Sequence, residues 1–145
     1  MSETLTAAEV VALLDLAPHP EGGWYRETFR DEPGPDGRAR STVIFFLLEA
    51  GQRSAWHRVD AVEVWHHHMG GPLRLDLAEE GEAGIALTLG PDLAAGQRPH
   101  IVIPAHCWQS AAPLGDDWTL VTCTVAPGFE FEGFDLAPAG WRPKG

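Results

Sequence analysis

Turns rich in glycine and proline, set about one strand length apart, leave this chain little room for long helices. PHPEGG, EPGPDG, GGP, GPDLAAG and APAG punctuate it, drawing on 16 glycines and 12 prolines. Such residues reverse the chain because Gly tolerates positive φ and Pro fixes φ near the value a turn needs. The intervening runs are short and either alternate or are wholly apolar. They predict strands at Trp24–Arg30, Arg40–Leu48, Ala55–Val59, Val62–His68, Leu73–Ala78, Ile85–Leu89, His100–Ile103, Trp108–Ala111 and Trp118–Val125. Many short strands at fairly even spacing predict an all-β sandwich or barrel.

One segment breaks this pattern. Thr6-Ala7-Ala8-Glu9 fits a capping box, and Val10, Leu13, Leu14 and Ala17 follow at helical spacing. This predicts a short amphipathic helix over about 6–17, ended by Pro18 and packed on something larger. With 145 residues, one domain over 1–145 is expected, its β part spanning about 22–136. The Pro/Gly-rich tail DLAPAGWRPKG after Phe134 is expected on the surface.

Charge narrows the function classes. The net charge is -11, and no basic stripe offsets it. Neither nucleic acid nor an anionic membrane suits such a surface. No apolar run approaches the length that spans a bilayer. The opening MSETLTAAEV has no charged-then-apolar leader pattern, so a cytoplasmic location is expected. Cys107 and Cys123 are then read as thiols, and without a CxxC pair they do not form a structural zinc site.

The chemistry gathers in GQRSAWHRVDAVEVWHHHMG, Gly51–Gly70, which holds four of the seven histidines. Strand side chains alternate between faces, so His57, Val59, Glu63, Trp65 and His67 share a parity, and His66 and His68 take the other. The triple histidine therefore cannot act as one cluster. A His and a Glu on one concave face can ligate a divalent ion or form a proton-transfer pair. Trp65 and Trp108 are read as apolar walls for an organic ligand. An inward Arg26 would suit a carboxylate or phosphate. Cys123, in the alternating VTCTV, is read as a buried thiol beside that ligand.

Gly51, His57, Val59, Glu63 and Gly70 match the first cupin motif, G-x5-H-x-H-x3/4-E-x6-G, at every place but one: Val59 stands at the second histidine. The second motif survives in outline, with Pro104 in place, Gln109 at its histidine and Pro113 at its asparagine. HPEGGWYRETFR, STVIFFLL, WHRVDAVEVWHHHMGGPL, IPAHCWQSA and LVTCTVAPGFEFEGFDL together resemble the cupin-5 family, DUF985. The resemblance implies a double-stranded β-helix, the cupin jelly-roll barrel, with a short N-terminal α-helix, and a homodimer. EGGWYRETF is also distantly similar to dTDP-4-dehydrorhamnose 3,5-epimerase-like cupins, which use a histidine base oriented by an acidic residue and no metal. That similarity implies His57 and Glu63 as catalytic groups of a metal-independent epimerase or isomerase acting on a small carbohydrate-like or anionic ligand. Two alternatives stay open. One is a non-catalytic binding or storage barrel. The other is a weak divalent-metal enzyme with His57, Glu63 and Gln109 as ligands; the usual metal set of this superfamily is three histidines and a glutamate.

Overall fold

A computed structural model describes residues 4–144; the ends of the expected 1–145 domain lie outside the described residues. Helix α1 runs over Ala7–Leu14. Its start is the one the sequence announces: Thr6 Oγ1 accepts from the Glu9 backbone N–H at 3.1 Å, and Glu9 Oε1 accepts from the Thr6 N–H at 2.9 Å. It ends earlier than Pro18 because Asp15 turns left-handed at φ 55°, and Leu16 N–H then closes on the Val11 carbonyl. The freed Ala17–Pro18 becomes strand β1.

The other strands are β2 Trp24–Arg30, β3 Thr42–Leu48, β4 His57–Val59, β5 Val62–Gly70, β6 Leu73–Ala78, β7 Ile85–Leu89, β8 His100–Ile103, β9 Trp108–Pro113, β10 Thr119–Ala126 and β11 Phe134–Leu136. They form a six-stranded sheet, β1-β2-β3-β10-β5-β8, and a five-stranded sheet, β11-β4-β9-β6-β7. All ladder pairs are antiparallel. The interleaved strand order curls both sheets around one interior, which is the jelly-roll arrangement.

Alternation decides which side chains fill that interior. On β3, Phe46 and Leu48 point in, and on β10, Val121, Cys123 and Val125 do so. All but Val125, which packs with Val59 and Ala61, meet Trp65 of β5, Leu75 of β6 and Leu89 of β7 in a packed core. Full burial of one such leucine contributes about 1.5–3 kcal/mol. The outward face of β3 and β10 is sealed differently: Leu47 and Leu120 lie under α1, against Val10 and Leu16. The amphipathic helix therefore covers one sheet from outside. The core fills one end of the barrel and leaves the other open.

The tail lies at the surface, as expected, but it is anchored there by a strand and by aromatic contacts. Phe134–Leu136 pairs with His57–Val59, and Ala137 N–H reaches the Trp56 carbonyl at 2.9 Å. Trp141 stacks 4.7 Å from Trp108 and 5.7 Å from Trp56, ring centre to ring centre. Aromatic burial holds this Pro/Gly-rich segment against the five-stranded sheet. Among the described residues, no helix is long and apolar enough to cross a membrane.

Candidate functional site

The open end of the barrel is a cavity of about 460 Å³. Its inner wall comes from strands facing inward by alternation: Thr42, Ile44 and Phe46 from β3, His57 and Val59 from β4, Glu63 and Trp65 from β5, Cys123 and Val125 from β10. Tyr25 and Glu27 of β2 complete one side.

Two further polar groups arrive from the β1–β2 hairpin. His19 N–H bonds the Gly23 carbonyl at 2.9 Å and Gly22 N–H bonds the His19 carbonyl at 3.0 Å. Gly22 and Gly23 take φ of 102° and 81°, and a side chain on Gly23 would run into the Leu47 carbonyl and the Leu48 side chain. Two glycines are needed to turn here, and the turn drops His19 and Glu21 into the cavity.

Glu21 Oε2 lies 3.0 Å from His57 Nε2. The other ring nitrogen, Nδ1, lies 2.8 Å from the Ala55 carbonyl, which can only accept, so Nδ1 carries a proton. Both side chains are buried, at 3 % and 7 % exposure. Burial pushes the His57 pKa down to about 4, with the Ala55 hydrogen bond a smaller opposing influence. Burial first, and the nearby Glu63 second, push Glu21 well above the usual carboxylate range. Both shifts favour neutral forms. Burial thus favours a protonated carboxyl donating to a neutral imidazole at this contact. Transferring one proton across it converts the pair to carboxylate and imidazolium.

Glu63 is the second acid–base group. Burial raises it to about 7, and the hydrogen bond from Gln109 is the largest of the opposing influences. Gln109 Nε2 donates to Glu63 Oε1 at 2.9 Å, while Gln109 Oε1 accepts from Trp65 Nε1 at 3.0 Å. This chain fixes the amide orientation and the carboxyl together. His19 is held near pKa 4 by burial and by His57. Its Nδ1 accepts from the Glu21 N–H at 3.0 Å, so its own proton sits on Nε2. The Cys123 thiol is pushed well up by burial and by Glu63 and Glu21, which keeps it protonated and poorly nucleophilic.

The sequence-derived residues divide accordingly. His57, Glu63, Trp65 and Cys123 come together around the cavity, and Gln109 stands behind Glu63. Arg26 does not join them. Tyr25 takes the inward position opposite Phe46, so Arg26 faces out, opposite Phe45, and pairs with Asp15 at 2.6 Å. His67 has the right parity but lies farther along β5 than Trp65, where its Nε2 meets the Gly71 carbonyl at 3.0 Å. Trp108 is outside too. Gln109 points in, so its neighbour points out, where Trp108 donates to Glu80, stacks on Trp141 and carries Arg58 4.6 Å above its ring. His66 and His68 face outward, beside His100 and Thr122 respectively.

Glu21 was not among the sequence-derived residues. Its signal was a carboxylate immediately before Gly22-Gly23 within HPEGGWYRETFR. A buried turn placing a charge-bearing side chain beside two glycines is recognisable only once the turn is known to face inward.

The profile of the Cupin superfamily (DUF985), Cupin_5, matches residues 8–137. The chain belongs to the Cupin_5 family. This Cupin_5 protein is similar to a crystallised protein from Shewanella oneidensis, with 37% identity and a TM-score of 0.88, covering 92% of this chain and 85% of that one. A hypothetical protein from Leishmania major shares 26% identity at a TM-score of 0.84, covering 92% and 88%. Oxalate decarboxylase from Bacillus subtilis shares the fold alone, at 14% identity and a TM-score of 0.64, covering 85% of this chain and 30% of that one. No curated protein matches the chain.

Metal ions are common in cupin barrels, but the donor set here is incomplete. Val59 offers no ligand atom, the Gln109 oxygen is taken by Trp65, and His57 Nε2 is aimed at Glu21. Among the described residues, no three His, Cys, Asp or Glu side chains are placed to hold a metal ion. The residues present do not fit a divalent ion.

Proposed function

We propose that this Cupin_5 protein binds a small organic molecule in its barrel and moves a proton on it without a metal, as epimerases and isomerases do. The observation that carries this is the 3.0 Å contact between His57 Nε2 and Glu21 Oε2 in the cavity wall. A carboxyl that shares a proton with an imidazole accepts a second proton from substrate when its own passes to Nε2. Glu63, near pKa 7, is balanced between acid and base at neutral pH and supplies the complementary group. Two titrating sites with different environments are what removal and return of a proton require. The fold alone does not support this reading, since cupin barrels host unrelated chemistries.

One observation favours a second reading, a barrel that binds without reacting. Among the described residues, no buried side-chain polar atom lacks a hydrogen-bond partner, so the site is satisfied without substrate. Solvent exchange separates the two. In D₂O, NMR of small sugars, amino sugars and ketones incubated with the protein should show deuterium entering at carbon for any compound that binds. Binding without exchange contradicts the acid–base reading and supports the binding barrel.

A further inference from the structure

Proceeding from the reading of the cavity as a ligand site, we propose that its ligand carries a protonated amine, with the ammonium seated among the carboxylates and aromatic rings at the mouth. Five glutamates line the cavity: Glu21 and Glu63 deep, Glu27, Glu130 and Glu132 nearer the rim. Arg30 is the one lining arginine or lysine among the described residues. It is already engaged: its Nη2 donates to Glu27 Oε1 at 2.7 Å and to the Phe129 carbonyl at 3.0 Å, and its Nε donates to Glu27 Oε2 at 3.3 Å. Arg26, which would have welcomed an anion, faces away and pairs with Asp15. Glu27 is answered by Arg30 and Glu130 by Arg38, 3.5 Å from its Oε1, so a carboxylate or phosphate entering the mouth would meet the charge of Glu132 with no free lining arginine or lysine among the described residues to answer it.

The rim is also aromatic. Phe129, Phe131 and Phe134 form a cluster with ring centres 5.0 to 6.1 Å apart. Even within this cluster Phe131 remains 57% exposed, so much of its ring is left uncovered at the rim. The segment carrying Phe129 and Phe131 is pinned: Arg38 Nε donates to the Gly128 carbonyl at 2.6 Å, and Phe129 N–H donates to Thr42 Oγ1 at 2.9 Å. The rings are therefore preorganised at the entrance. Aromatic faces attract ammonium groups, and more strongly where water is displaced. Carboxylates and rings at one opening select a cation over its neutral and anionic analogues.

The test is a charge series on fixed skeletons at pH 7: glucosamine, glucose and glucuronate, then benzylamine, benzyl alcohol and benzoate, with affinities from calorimetry. In at least one series the amine is expected to bind about tenfold or more tighter than the neutral compound, and the anion weakest. Glu27→Gln, which releases Arg30 into the mouth, should reduce that preference, and so should the double variant Glu130→Gln, Glu132→Gln at the exposed rim. Equal affinities, tightest binding by the anion, or no binding by either amine overturns the proposal. Its failure is distinct from that of the proton-transfer reading: a neutral ligand that exchanges deuterium sinks only the amine, and an amine that binds without exchange sinks only the chemistry.

Discussion

Deuterium exchange into a bound substrate is expected to slow about 10²–10⁴-fold in His57→Ala, the range that loss of one general acid–base group produces. Glu21→Gln should lose a similar factor, because an amide keeps the hydrogen bond to Nε2 but cannot give up or take on a proton. The decisive feature is non-additivity. If Glu21 and His57 work as one proton-sharing unit across their 3.0 Å contact, the double variant is no slower than the worse single one. Losses that multiply would show two independent groups. Glu21→Gln is nearly isosteric, so it retains the test if the alanine variant folds poorly.

The second large effect is on stability. Glu63 titrates near 7 in the folded protein against an ordinary value of 4.5. Its pKa is raised, so its contribution is fully present below pH 4.5 and is lost as pH rises through 7. The size is about 3 kcal/mol. His57 has the opposite sign: its folded pKa of about 4 lies below the ordinary 6.5, so its contribution is present above pH 6.5 and lost as pH falls through 4. Between those limits the two slopes oppose each other. His19, also near 4, adds to the acid loss. Glu63→Gln removes one side of this balance. Its amide oxygen still accepts from Gln109, so the chain to Trp65 survives. Urea unfolding from pH 4.5 to 8 should show the variant gaining on the wild type by about 3 kcal/mol over that window. Parallel curves would mean that Glu63 is not held near neutral pH by its burial.

The barrel was legible in the chain because turn chemistry and alternation are local. Trp24–Arg30, Leu73–Ala78, Ile85–Leu89 and His100–Ile103 run as the sequence alone places them. The capping box marked the helix start for the same reason. Strand parity also split the triple histidine correctly between two faces. Parity, however, gives alternation without its sign. Arg26 and Tyr25 are equally good inward candidates until β2 is paired with β3, and the register then turns Tyr25 in. Nor does parity give depth: His67 shares a face with Glu63, yet the packed core around Trp65 separates it from the cavity. Trp108 failed for a simpler reason, since it and Gln109 are neighbours on one strand and cannot both point inward. Glu21 needed the most distant information, a hairpin whose destination is fixed by the Ala55 N–H bonding its carbonyl at 2.7 Å.

The central claim is the resting protonation of the Glu21–His57 pair, and ¹⁵N NMR of the His57 imidazole across pH measures it directly. The expected result is a neutral ring protonated on Nδ1, with Nε2 a bare acceptor, titrating near pH 4. An imidazolium at pH 7, or a neutral ring protonated on Nε2, would contradict the account.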